Sequence, residues 1–135
     1  ESLFCHEKDG KLQESAVLFY LSGRSPRKAI AAETNRFIFL DGTIEDLGKG
    51  IPAAQMPVIS DNYSKYIGWK GQGEIPAEKL EKMREYIRQT HAEGKLFRWW
   101  GAPDTPLFKK FFIKEKVDLI GADDLKALSL ILQNP

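Results

Sequence analysis

The sequence predicts an α/β fold in which parallel strands alternate with helices, as in half of a TIM (β/α)8 barrel. Three observations predict it. Apolar runs that read as strands alternate with segments of helical period, at about 30 residues per unit. The connections are mostly short, as right-handed βαβ crossovers require. The stretch Gly94–Asp104 reads as one strand with a working end. Alternation puts Leu96, Arg98 and Trp100 on one of its faces and Phe97 and Trp99 on the other. Apolar bulk on both faces predicts a strand covered on both sides. Gly101-Ala102-Pro103 then ends it, so a cation and a flat aromatic stand at the C-terminal end, where ligands of α/β folds gather.

Composition sets the bounds. The chain has 135 residues, 42% hydrophobic and 29% charged, with a net charge of +1. Such a length suits one domain or a piece of a larger one, and the charge gives no global field that would favour nucleic acid or an anionic membrane. No apolar run approaches the roughly 20 residues that span a bilayer, so no transmembrane segment is predicted. The single cysteine, Cys5, excludes an internal disulfide framework and reads as a small buried or chain-end residue. The chain begins at Glu1 rather than Met and shows no signal peptide, as a trimmed or processed product would.

Each element has its own signal. Residues 1–15 are polar and mixed and read as a ragged N-terminal segment, with Asp9-Gly10 as a turn. Residues 16–135 then form about four βα units of a half-barrel. Ala16–Leu21 is a continuous apolar run that predicts a buried strand. Ser25 before Pro26 predicts a capped helix over Arg27–Thr34. Arg36–Leu40 predicts a strand closed by a turn at Asp41-Gly42, and Met56–Asn62 a short extended run. Tyr63–Glu74 reads as a long glycine-bearing loop, with Trp69 as a lid or an anchor.

From Pro76 onward, Leu80, Met83, Ile87 and Thr90 or His91 recur at three and four residues, which predicts a helix ended by Gly94. After the central strand, Asp104 or Thr105 caps a helix that buries Leu107, Phe108, Phe111 and Phe112. Val117–Ile120 is the last predicted strand. Asp123 caps a final helix carrying Leu125, Leu128, Ile131 and Leu132.

Taken in order, several of these segments have a familiar look. Ser22-Gly23-Arg24 and Arg36–Gly42 are followed by Pro57–Asn62, His91–Gly94, Arg98–Asp104 and Val117–Leu125. The set resembles the C-terminal half of the phospholipase C-like phosphodiesterase superfamily, which includes glycerophosphodiester phosphodiesterases and phosphatidylinositol-specific phospholipase C-like proteins. The resemblance runs from about Val17 to Leu132, and its specificity lies in the ordered set. It implies a TIM barrel and a phosphoric diester hydrolase acting on glycerophosphodiesters or inositol phospholipids. It implies a divalent metal, Ca or Mg, in the full-length family, and export from the cytoplasm.

The family's catalytic histidine pair and acidic metal ligands lie on the first strands of its barrel. This chain has only His6 and His91, neither within a matching motif. No catalytic residue and no bound metal are therefore expected of the chain alone, and little or no turnover. The alternative is a non-catalytic phosphate-binding module of the same fold.

Arg98 is the candidate phosphate ligand, because a guanidinium matches phosphoryl oxygens bidentately. Its structural alternative is a salt bridge to Asp41 or Asp61. Trp100 can wall a pocket against glycerol or inositol, or simply pack. Asp41, Asp61 and Asn62 end strands and can bind substrate hydroxyls, or serve turns and caps. The expected partners are a phosphodiester or phospholipid head group, and either a missing N-terminal half-barrel or a second copy joined through open strand edges.

Overall fold

The computed structural model describes residues 3–133. Five parallel strands form one curled sheet: β3 (Phe19–Leu21), β4 (Ile38–Gly42), β5 (Val58–Asn62), β6 (Leu96–Trp100) and β7 (Leu119–Ile120). A small antiparallel hairpin, β1 (His6–Lys8) and β2 (Lys11–Gln13), precedes it. The helices are α1 (Arg27–Ala32), α2 (Tyr63–Tyr66), α3 (Ala77–Ala92), α4 (Pro106–Lys114) and α5 (Leu125–Gln133). The strand order in the sheet is the sequence order, β3-β4-β5-β6-β7. A sheet wound in one direction curls as a half-barrel does, rather than doubling back as a dinucleotide-binding sheet does.

Register assigns the two faces. Pairing of Ser60 with Arg98 and of Arg98 with Leu119 sets these residues on the inner face. Ile59, Phe97 and Trp99 face the helices, where they join Met83, Ile87, Phe108 and Phe112 in the main core. The helix α3 stripe is as predicted: Met83, Ile87 and Thr90 are buried and Gly94 adopts φ 69°. Tyr63 fills the centre of this core, edge-on to Trp99, Phe108 and Phe112.

Several expectations are corrected. The segment expected to be ragged forms the β1–β2 hairpin, because Asp9 (φ 52°) and Gly10 (φ 76°) supply the two left-handed residues a tight hairpin turn needs. Buried Glu7 anchors it. Its Oε1 accepts from Gly10 N at 2.5 Å, its Oε2 accepts from Asn35 N at 3.0 Å, and Arg36 lies 3.7 Å away. Asp41 and Gly42 are strand residues rather than a turn. A Cβ at Gly42 would meet the Met56 side chain and stand 2.7 Å from Ile59 Cδ1, so those two core side chains would have to shift to admit one.

The run Ala16–Leu21 holds the edge strand β3, with Phe19 and Leu21 exposed, since α1 packs over β4 and leaves β3 to the Phe4 ring, 5.3 Å from that of Phe19, while Phe4 bridges Val17 just before the strand. Helix α1 has no side-chain cap, and Ser25 Oγ has no hydrogen-bond partner. Part of the expected 63–74 loop is α2, which Asn62 caps through Lys65 N at 3.2 Å. Trp69 anchors the rest, its ring 5.5 Å from Phe108 and 5.3 Å from Phe111. Leu107 is exposed, not buried. Asp124, not Asp123, caps α5, accepting from Ala127 N at 2.9 Å. The largest correction concerns β6, which is covered on one face only.

Candidate functional site

The site lies at the C-terminal ends of β3–β6, on the inner face. Two clefts meet there and share Trp100. One, of about 190 Å³, is lined by Ser22, Arg27, Asp41, Ser60, Asp61 and Trp100. The other, of about 220 Å³, is lined among others by Arg98, Trp100, Asp104, Lys109 and Asp123. Strand geometry builds this arrangement. Asp41, Ser60 and Arg98 project inward from three adjacent strands, each near its C-terminal end.

Arg98 is half-buried and makes no ion pair or hydrogen bond among the described residues. Its alternative as a salt bridge to Asp41 or Asp61 is not what forms. Its charge still reaches Asp41. Burial pushes the Asp41 carboxyl above its ordinary pKa. The Ser60 and Ser22 hydroxyls and the charges of Arg98 and Arg27 pull the other way and only partly offset it. Neither serine closes a hydrogen bond on Asp41 Oδ1, which is buried without a partner, and Ser60 Oγ is equally unpartnered. A buried acceptor, a buried hydroxyl and an uncommitted guanidinium thus stand together. Unsatisfied buried polar atoms are costly and rare, which makes this group of residues the candidate site.

The other predicted residues have structural work. Asp61 Oδ2 accepts from Ile44 N at 3.1 Å and its Oδ1 from Asn62 N at 2.8 Å. Asn62 Oδ1 serves the α2 cap, and Gly101 must be glycine because φ is 68° and a Cβ would lie 3.1 Å from that oxygen. Trp100 stands on the Arg98 face, as alternation predicts, but it is open to solvent rather than packed under a covered face. Asp104 pairs with buried Lys109, and its Oδ2 accepts from Asp123 N at 3.0 Å. Lys109 and the hydrogen bond it makes hold its carboxyl below the usual range.

One feature was not foreseen in the sequence. Arg27 forks onto Asp46, with Nη1–Oδ1 at 2.9 Å and Nη2–Oδ2 at 3.1 Å. Asp46 Oδ2 also accepts from Thr43 N at 2.9 Å. Burial pushes the Asp46 carboxyl up, but Arg27 and Thr43 outweigh it and leave the pKa lowered. The pair ties α1 to the loop after β4 and so shapes the Asp41 side of the mouth. The only sequence signal was Thr43 three residues before Asp46, a capping spacing.

The two histidines lie at the opposite end. His91 Nε2 sits 2.8 Å from Asp118 Oδ2, just before β7, and the same Asp118 oxygen accepts from Phe97 N. His6 stacks on Phe37 at 5.3 Å, ahead of β4. Neither reaches the mouth. The carboxylates do not fit a divalent metal there either. Asp46 and Asp61 are committed to neighbouring groups, and no cluster of three metal-ligating side chains occurs among the described residues.

No helix among those residues is long and apolar enough to cross a membrane. The chain matches no family model, no curated protein and no solved structure.

Proposed function

We propose that this chain is the substrate-holding, C-terminal half of a phosphodiesterase-type (β/α)8 barrel. In this reading Arg98 takes the phosphoryl oxygens of a glycerophosphodiester or inositol-phosphate head group. Trp100 walls the polyol, and Asp41 with Ser60 takes its hydroxyl groups. The observation that carries the reading is the uncommitted Arg98 guanidinium beside the orphaned Asp41 Oδ1. A ligand with both an anion and hydroxyl donors answers both groups at once. The order of motifs along the chain and the sequential parallel sheet support the same family.

Phosphodiester cleavage also needs a proton acceptor and a proton donor at the scissile oxygens. Both histidines sit at the other end of the strands, which favours a second statement: the chain on its own binds and does not cleave. Any divalent metal, and the acid–base pair, belong to groups this chain does not supply.

The test is a titration of the folded chain with glycerol 3-phosphate and inositol 1-phosphate, followed by NMR, with plain glycerol as the control. Phosphate-bearing ligands are expected to shift resonances of β4–β6, and Arg98→Ala to weaken binding about tenfold or more, the value of one charge-assisted contact. Binding that ignores Arg98→Ala, or equals that of glycerol, would overturn the reading.

A further inference from the structure

A third cleft lies away from the mouth, between α3 and the C-terminal turn of α4. It encloses about 530 Å³, within the size range of small-ligand sites. Helix α3 leads into β6, and α4 leads from β6 to β7, so the cleft sits within the run of units and not at an edge of the sheet. Its lining is cationic. Arg84 and Arg88 come from α3, Lys114 from the last turn of α4 and Lys116 from just beyond it, against one carboxylate, Glu115. Buried Ile87 gives it an apolar floor. The whole chain carries a net charge of only +1, so this concentration of charge is local.

The cations differ in what holds them. Arg84 forks onto buried Glu115, with Nε–Oε2 at 2.6 Å and Nη2–Oε1 at 3.0 Å. The fork fixes the guanidinium and leaves its Nη1 unused. Arg88 reaches Glu81 at 2.7 Å and Glu85 at 2.5 Å, but all three side chains are more than half exposed. Exposed pairs of this kind are weakly held, so a ligand can draw Arg88 away from them. The ammonium groups of Lys114 and Lys116 are exposed and make no ion pair or hydrogen bond among the described residues. His91 also lines the cleft, with its Nε2 committed to Asp118.

Lys116 stands at φ 63°, in the left-handed region. The same position after α3 is Gly94, at φ 69°. Backbone geometry therefore favours glycine at position 116, and the chain has a lysine. A cation near a helix C-terminus complements the helix dipole, but Lys114 already stands in the last turn of α4. The second ammonium is left to the cleft.

We propose that this cleft binds a small organic polyanion, with one anionic group at Arg84 and Arg88 and another at Lys114 and Lys116. The two arginines are four apart on one helix face, the spacing at which side chains meet a common partner. Polycarboxylates and polyphosphates share the chemistry required, two anionic groups on a short frame. The inference does not rest on phosphate binding at Arg98, because the cleft shares no residue with those of the mouth.

The experiment is an NMR titration with citrate and, separately, pyrophosphate. It uses the Arg98→Ala chain, so that the mouth is silent, and acetate at equal ionic strength as the control. Resonances of residues 84–92 and 114–116 are expected to move at millimolar polyanion and far less with acetate. A response to citrate alone assigns a polycarboxylate, and one to pyrophosphate alone a polyphosphate; either supports the proposal. Lys116→Gly removes an ammonium and suits the left-handed backbone. It should keep or raise the melting temperature while weakening binding about threefold, the scale of one exposed charge contact. Lys114→Gln with Lys116→Gly should weaken binding about tenfold or more. A cleft that responds to neither polyanion overturns the proposal. So does one that responds equally to acetate, or polyanion binding indifferent to the double variant.

Discussion

The two faces of β6 differ more than any two neighbouring regions of the molecule. Phe97 and Trp99 are 0% and 3% exposed, while Leu96 and Trp100, on the alternate face, are 39% and 47% exposed. The residue types are equally apolar, so composition does not set the difference. Position does: three helices lie over one face and nothing lies over the other along this strand. The covered face stabilises the fold, and the open face is available for recognition. Beneath β4 and β5 the inner face is closed, with Phe39 and Val58 fully buried, so the opening is confined to the β6–β7 side and the mouth.

Substitution at each face breaks the comparison most directly. Phe97→Ala should cost about 3–5 kcal/mol of stability, the range for emptying a buried aromatic site. Trp100→Ala should stay within about 1 kcal/mol of wild type, as exposed positions do, while weakening the binding of phosphorylated polyols. Denaturant melts of both variants check the pair. Equal losses would mean that the inner face is covered in solution.

A second measurement asks whether the closed part of the inner side depends on the hairpin. Glu7→Ala leaves Arg36 buried with only the carbonyls of Glu33 and Ala54 as partners. The expected loss is about 3 kcal/mol, because an uncompensated buried charge is left behind. A loss near zero would mean that the hairpin contributes nothing to the floor of the sheet.

The smallest effects lie in the mouth and have opposite pH signs. Asp41 has a raised pKa in the folded chain, so its ionisation is disfavoured by folding and stability falls as pH rises through that pKa. Asp41→Asn should therefore match wild type in acid, below the usual carboxylate range, and gain on it as pH approaches neutrality. Asp46 has a lowered pKa, so it stabilises above the usual carboxylate range and loses that contribution as pH falls through its folded value. Asp46→Asn should be worst at neutral pH and approach wild type in acid. Thermal melts at several pH values read both slopes, and slopes of the same sign would contradict the mouth as described.

Much of the frame could be read before the fold was seen. Alternating strands and helices, the stripe of α3, the Gly94 terminator and the Arg98–Trp100 face all follow from local period and local backbone preference. Coverage could not be read, because whether Trp100 or Leu107 is buried depends on which distant element reaches it. The hairpin was missed because the signal of Asp9-Gly10 was outweighed by polar composition, and buried Glu7 looks like any surface acid. Asp61 and Asn62 look like ligand residues, and only the backbone amides beside them reveal their structural roles.

The order of strands in the sheet carries a consequence for the way the chain is made. Each strand pairs with the strand that follows it in sequence, so no strand waits for a partner from far along the chain. During synthesis from the N-terminus each pairing can close once the next unit has emerged, one short loop at a time.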